Sequence, residues 1–178
     1  MTKETAIQIR EKEADLYATQ EDFHTIFNEA LRELYQLSFL LTRDPEKADR
    51  CLVSGLDDCI SGNRVFREWA RSWARRTIIQ NAIRELKPRP NHSPMSESDF
   101  PEIGQLSDGP SGNFESHSVL RLENFERFVF VISILEQYSE HDCALFLGCS
   151  VKECREARNH AVKVLMNSSK RDVLQNHF

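Results

Sequence analysis

Three side chains whose types could support nucleophilic catalysis stand side by side at His141, Asp142 and Cys143. A thiol nucleophile needs a base within hydrogen-bond distance, but neighbouring residues on a helix point about 100° apart and do not meet. The chain also has no glycine-rich phosphate loop, no paired-histidine metal motif and no nucleophile elbow. We therefore expect no catalytic residue, no cofactor and no enzymatic activity.

The five cysteines are an odd number and show no C-x-x-C spacing. In a reducing compartment such residues usually serve as small buried apolar side chains. A zinc site built from Cys143, Cys149, Cys154 and His160 is the weaker alternative, because three of these positions already fit helix packing. The sequence therefore predicts no metal site.

The overall charge limits the classes of partner. The chain has 23 basic and 28 acidic residues, and its net charge of −5 argues against a protein that coats nucleic acid or membrane indiscriminately. No apolar run approaches the roughly 18 residues of a membrane span, and 1–17 lack the apolar core of a signal peptide. We expect a cytoplasmic protein with no membrane partner, whose contacts with nucleic acid come from local patches.

The first such patch is an arginine-rich segment at 64–86, where apolar residues recur at helical spacing and predict a helix. Over 63–86 there are six arginines and two glutamates. Because a row of like charges destabilises a helix, an anionic partner would stabilise it. The alternative is an exposed arginine face that pairs with carboxylates elsewhere in the fold. Trp69 and Trp73 follow the apolar stripe and are predicted to lie in the core. The arginines that recur every three or four residues are Arg64, Arg67, Arg71 and Arg75.

The second patch follows two helix-start signals. Ser139 with Asp142, and Ser150 with Glu153, have the spacing of capping boxes, so two helices are expected to begin eleven residues apart. Gly148 can adopt the left-handed conformation that ends the first helix sharply. This arrangement predicts a helix-turn-helix motif.

In such a motif the second helix, here 151–165, lies in the DNA major groove. Asparagine and arginine side chains can form bidentate contacts with bases, while lysine and protonated histidine suit phosphates. The alternative is a helical hairpin with a solvated polar face, since Glu153 and Glu156 reduce the positive charge that drives phosphate affinity. The candidate DNA-binding residues of this helix are Lys152, Arg155, Arg158, Asn159, His160 and Lys163.

The predicted helices and the linker between them indicate an all-α protein with two small helical domains. Residues 1–20 form a polar extension, and 21–86 hold a core helix from 22 to 41, a second helix from 45 to about 60, and the arginine-rich helix. Residues 87–117 contain all but one of the prolines and three of the six glycines, as in a flexible linker. Residues 118–168 hold a supporting helix at 119–137 and the helix-turn-helix motif, and 169–178 form a tail.

Residues 122–165 resemble region four of bacterial sigma factors of the extracytoplasmic-function group. The resemblance is carried by the segment LENFERFVFVISILEQYSEHDCALFLGCSVKECREARNHAVKVL, in which VFVISILEQYSEHDCALFLGCSV has the family's spacing throughout. Residues 38–86 are similar to region two of that family through SFLLTRDPEKAD and FREWARSWARRTIIQNAIREL. Together the two regions cover most of 22–165.

The resemblance implies a transcription initiation protein that binds core RNA polymerase and promoter DNA. It implies that Arg67, Arg71 and Arg75 lie near the −10 element. An anti-sigma protein is a further partner that this family suggests. For the −35 element, the residues implied are Arg155, Asn159 and His160.

The chain also departs from the family pattern, and the departures support a second hypothesis. Sigma factors of this group usually carry an acidic, glutamine-rich surface that docks on polymerase, and their loop before the −10 helix is longer than 61–65. The second hypothesis is therefore a derived adaptor with the sigma fold, which binds a protein partner and does not initiate transcription. At the docking surface this chain has Arg50, Cys51, Val53 and Ser54.

Overall fold

The structure is a computed structural model that describes the backbone of 16–90 and 118–175 and the side chains as far as 167. The described residues are helical and contain no strand, which confirms the predicted all-α class. Contacts divide the chain into two compact units, Met1–Lys87 and Pro88–Phe178. Most of the predicted extension at 1–20 and of the predicted linker at 87–117 lies outside the described residues. No helix in the described ranges is long and apolar enough to cross a membrane.

The described residues of the amino-terminal unit form four α-helices: α1 (Gln20–Glu29), α2 (Leu31–Thr42), α3 (Pro45–Ser61) and α4 (Ala70–Leu86). Asp44 caps α3 as predicted, because its side chain accepts a hydrogen bond from the Lys47 amide at 3.0 Å and a proline takes the first helical position. The single helix predicted from 22 to 41 is wrong. Ala30 leaves the helical conformation (φ −104°, ψ 20°) and separates α1 from α2.

Close packing of α3 against α4 fixes the orientation of the arginine-rich helix. At Gly55 a Cβ atom would lie 2.6 Å from Cδ1 of Ile78, so a larger residue at this position would require the Ile78 side chain to shift. Leu34, Leu41 and Ile78 are almost completely buried between the helices. One side of α4 is therefore committed to the core, whereas Arg71, Arg84 and Glu85 of the same helix are exposed.

The arginine-rich segment differs from the sequence prediction at its start. The helix begins at Ala70 rather than at 64, and a 3₁₀ turn at Arg67–Trp69 precedes it. The Arg67 amide donates a hydrogen bond to the Leu16 carbonyl at 2.9 Å, and Phe66 is extended (φ −60°, ψ 137°). Because the backbone before 68 pairs with another segment, it cannot form helical hydrogen bonds.

The carboxy-terminal unit contains α5 (Asn124–Phe130), which continues as a π-helical segment (Val131–Leu135), then α6 (Glu140–Leu147) and α7 (Val151–Gln175). The helix predicted at 119–137 is thus shorter, and the second helix of the motif extends beyond 165 through part of the predicted tail. Phe128, Val131 and Ile132 are fully buried beneath α7 and α6.

The turn between α6 and α7 has the predicted cap chemistry. Ser150 and Glu153 form a complete capping box: the Glu153 amide donates to the Ser150 hydroxyl at 3.2 Å, and the Ser150 amide donates to the Glu153 carboxylate at 2.7 Å. At the start of α6, Ser139 is the N-cap: its hydroxyl accepts from the Asp142 amide at 3.0 Å and donates to the Asp142 carboxylate at 2.6 Å. Cys143 is buried. Gly148 is left-handed (φ 64°) and ends α6.

We expect Gly148→Ala to lower the free energy of unfolding of the carboxy-terminal unit by about 1 kcal/mol, because a Cβ is unfavourable in the left-handed region. No atom lies within 4 Å of the added Cβ, so the cost comes from the backbone alone. Gly148→Asn should cost less, since asparagine tolerates this conformation. Urea unfolding followed by circular dichroism measures both variants, and an alanine variant as stable as the parent would contradict the prediction.

Candidate nucleic-acid interface

The amino-terminal arginine surface is defined by Arg64, Arg67, Arg71 and Arg75. Arg67 forms an ion pair with Asp22 at 3.2 Å, and Arg71 forms one with Glu29. Arg64 lies over the Tyr17 ring, with 4.2 Å between its guanidinium carbon and the ring centroid. Arg75 is half-buried. Arg67 and Arg71 therefore pair with carboxylates of α1.

These ion pairs remain accessible to a competing anion. The side chains of Arg67 and Arg71 are 48% and 63% exposed, and surface ion pairs of this kind contribute about 0–1 kcal/mol. A phosphate can replace the carboxylate at small cost, but the carboxylate still cancels part of the local field. The surface is therefore suited to weak rather than tight binding of a polyanion.

Asp22 has two roles at this surface. Its carboxylate completes the capping box of α1, accepting from the Thr19 amide at 2.7 Å, and also accepts from Arg67. The hydrogen bond from the Thr19 backbone, then that from its hydroxyl, lower the pKa of Asp22, with a smaller contribution from Arg67. Asp22 therefore stays ionised and keeps matching the Arg67 charge at neutral pH.

An exposed aromatic cluster adjoins the arginine surface. Tyr17 stacks on Phe66 with 4.9 Å between ring centroids, and Phe66 contacts Trp69 edge to face at 5.2 Å. Trp69 is 58% exposed, so its predicted burial in the core is wrong. The apolar stripe placed it inside only because a helix was assumed from 64 onward. The pairing of residues 16–18 with residues 65–67 is long-range, and no local sequence signal indicates it.

The carboxy-terminal basic surface is defined by Lys152, Arg155, Arg158, Asn159, His160 and Lys163 of α7. Arg155 donates to Oε2 of Glu140 through two nitrogens, at 3.0 and 3.1 Å, and Arg158 lies 3.5 Å from Oε1 of the same carboxylate. One negative charge on α6 is therefore shared by two guanidinium groups. Asn159 and Lys163 are exposed.

The flanks of this surface are also partly neutralised. Lys152 lies 3.8 Å from Glu156, one turn further along α7. His160 Nδ1 lies 2.6 Å from Oε1 of Glu126 on α5. Burial raises the pKa of Glu126, and His160 opposes that shift. His160 is therefore engaged by a carboxylate and does not join the cysteines in the considered zinc group; the described residues contain no cluster suited to a metal ion.

We expect Glu140→Gln to strengthen binding of a short DNA duplex about fivefold at low salt, because it removes the negative charge nearest two arginines. The cost in stability should stay within about 1 kcal/mol, since the side chains of Arg155 and Arg158 are 60% and 40% exposed. Fluorescence anisotropy with a labelled duplex measures the affinity. Glu33→Gln, on exposed α2 of the other unit, makes the same charge change, and equal effects of the two variants would argue against this surface.

The structure thus brings Arg155 and Arg158 together around one carboxylate and leaves the other predicted residues of α7 along its exposed side. In the amino-terminal unit it separates Arg64 and Arg67 from the helix that carries Arg71 and Arg75.

The resemblance to sigma factors depends on the residues quoted above and on no matched relative. Comparison of the chain with models of protein families, with curated proteins and with solved structures finds no match.

Proposed function

We propose that this protein is a sigma-factor-like transcription initiation protein. It binds core RNA polymerase through its amino-terminal helices and recognises promoter DNA at two elements. Residues 64–86 contact the −10 element, and α7 contacts the −35 element. The proposal combines the family resemblance of 38–86 and 122–165 with the positions of the exposed cationic side chains.

The main structural support for the proposal is the geometry at the start of α7. A capping box closes its first turn, α6 ends three residues earlier at a left-handed glycine, and Lys152 and Arg155 are exposed at the first turns. The early turns of a helix presented in this way can enter a major groove and contact base edges. Asn159, one turn further, has the donor and acceptor pair suited to adenine.

The aromatic cluster supports a contact at the −10 element. Trp69 is 58% exposed, and Arg64 lies over the Tyr17 ring that stacks on Phe66. Bases of an opened strand can stack on exposed aromatic rings while cations contact the backbone. Stacking does not require unmatched charge, so the ion pairs of Arg67 and Arg71 do not prevent it. Because the aromatic cluster lies outside the short loop at 61–65, the length of that loop does not by itself exclude contact with a separated strand.

The ion pairs favour DNA binding within the polymerase complex rather than by the isolated chain. Each surface has partly matched charge, and the protein as a whole carries −5. Two weak sites joined in one chain gain affinity once the first is engaged, because the second then binds at high effective concentration. Docking on polymerase would hold both surfaces close to the promoter, so each surface would bind DNA at a higher effective concentration.

The adaptor hypothesis remains the second candidate, and Val53 is the observation in its favour. This residue is 60% exposed on α3, at the surface where the resemblance implies polymerase docking. An apolar side chain there suits a protein partner with a different surface. An anti-sigma protein is a partner compatible with either function.

Co-elution with core polymerase, followed by transcription from a duplex library, tests the proposal and separates the two candidates. The sigma-like function predicts co-elution and discrete transcript start sites that require the added protein. Co-elution without a transcript would support an adaptor that acts on polymerase. Failure of both would remove polymerase as the partner and overturn the proposed function.

A further inference from the structure

Two cysteines occupy the positions of a hydrophobic staple at the start of α7. Ser150 is the N-cap, so Cys149 is the residue before the cap and Cys154 is the fourth helical residue. Side chains at these two positions pack against each other and fix the angle at which the chain enters a helix. Apolar residues normally fill both positions, whereas here each carries a thiol.

The structure places the two sulfur atoms in direct contact. Cys149 Sγ lies 3.4 Å from Cys154 Sγ, against about 2.05 Å in a disulfide. Cys154 is 1% exposed and Cys149 is partly exposed, so a partly accessible cysteine contacts a buried one. Cys143 is also close to Cys154 but is completely buried.

We propose that Cys149 and Cys154 form a reversible disulfide that converts the staple of α7 into a covalent link. A hydroperoxide is the oxidant. The Cys149 thiolate attacks the peroxide, giving a sulfenic acid and releasing hydroxide, or an alkoxide that takes a proton from water when the peroxide is organic. The Cys154 thiol then displaces water from that sulfenic acid, so two thiols lose two electrons and two protons while the peroxide bond is reduced.

The environment of the pair makes the reaction slow at neutral pH. Burial, the contact with Cys154 and the nearby Glu153 carboxylate together raise the pKa of Cys149 to about 12. Because the thiolate is the nucleophile, its fraction and hence the rate should rise about tenfold per pH unit below that pKa. The hydrogen bond with Cys143 and burial raise the pKa of Cys154 as well, so the resolving step should also become faster as the pH rises. The 3.4 Å contact between the two sulfur atoms makes that step intramolecular.

The expected product is a single disulfide between Cys149 and Cys154, and it can be measured by counting free thiols. The reduced full chain is treated with hydrogen peroxide at pH 8 to 9, unfolded in the presence of N-ethylmaleimide so that buried thiols are also blocked, and mapped by peptide mass spectrometry. Free thiols should fall from the five of the sequence to about three, with a peptide joining Cys149 to Cys154. Dithiothreitol should restore all of them.

Single cysteine-to-serine variants identify which two thiols form the disulfide, and the test needs no assay of DNA binding or transcription. Cys149→Ser and Cys154→Ser should form no intramolecular disulfide, while Cys143→Ser and Cys51→Ser should still lose two thiols. Circular dichroism confirms that each variant is folded. Survival of every thiol, a link that includes Cys143, or over-oxidation of Cys149 without a link would overturn the proposal. None of these outcomes bears on DNA binding, so the inference stands apart from the proposed function.

Discussion

Replacing Lys152, Arg155 and Lys163 together by glutamate is expected to lower the affinity of the polymerase complex for promoter DNA at least about hundredfold. Three cations that would contact phosphates become anions that repel them. All three side chains are exposed, so the fold should survive. Filter binding or anisotropy with a promoter-containing duplex measures the loss, and circular dichroism verifies folding.

The matched control makes the same charge change outside both surfaces. Lys87, Arg89 and Arg121 are exposed cations outside the amino-terminal helices, and their triple glutamate variant has the same net charge as the test variant. The account expects this control to retain most of its promoter affinity. Similar losses in both variants would mean that overall charge, and not a DNA surface on α7, controls binding. An adaptor that does not touch DNA would be insensitive to either change.

Phe128→Ala is expected to destabilise the carboxy-terminal unit by about 3–5 kcal/mol, because it removes a fully buried aromatic side chain and leaves a cavity beneath α7. Leu145→Ala is the matched control. That leucine is 69% exposed on α6, so its truncation should change stability by no more than about 0.5 kcal/mol.

Two optical signals separate the units in this experiment. Both tryptophans, Trp69 and Trp73, belong to the amino-terminal unit, whereas far-ultraviolet circular dichroism reports helices of both units. In urea, Phe128→Ala should move the dichroism transition to lower denaturant and leave the tryptophan fluorescence transition in place. Equal shifts of the two signals would show that the chain unfolds as one cooperative block.

Local chemistry allowed much of the fold to be predicted. The caps at Asp44 and Ser150 and the left-handed end at Gly148 each depend on residues within a few positions of one another, so a single sequence contains the signal. The break at Ala30 carries no glycine, proline or capping residue. Nothing local distinguishes it from a continuous helix, which explains the wrong prediction of one helix from 22 to 41.

The candidate site was harder to predict because its contacts are long-range. Arg67 meets Asp22 and Arg71 meets Glu29 across more than forty residues of chain. Helical spacing identifies an arginine face but not the carboxylates that the fold brings to it. Trp69 was misplaced for a related reason, since a distant backbone segment ends the helix before it. The alternative prediction was that the arginines pair with carboxylates elsewhere in the fold. Arg67 and Arg71 form such pairs.

The salt dependence of DNA binding tests most directly whether exposed cations of the two surfaces contact phosphates. A random duplex of about 30 base pairs suffices, because phosphate contacts do not depend on sequence. Six such contacts predict roughly a thousandfold loss of affinity between 50 and 200 mM salt, and the triple glutamate variant of α7 should lose about three units of the log–log slope. A slope near zero, or one that is the same in the variant and the parent, would contradict the account.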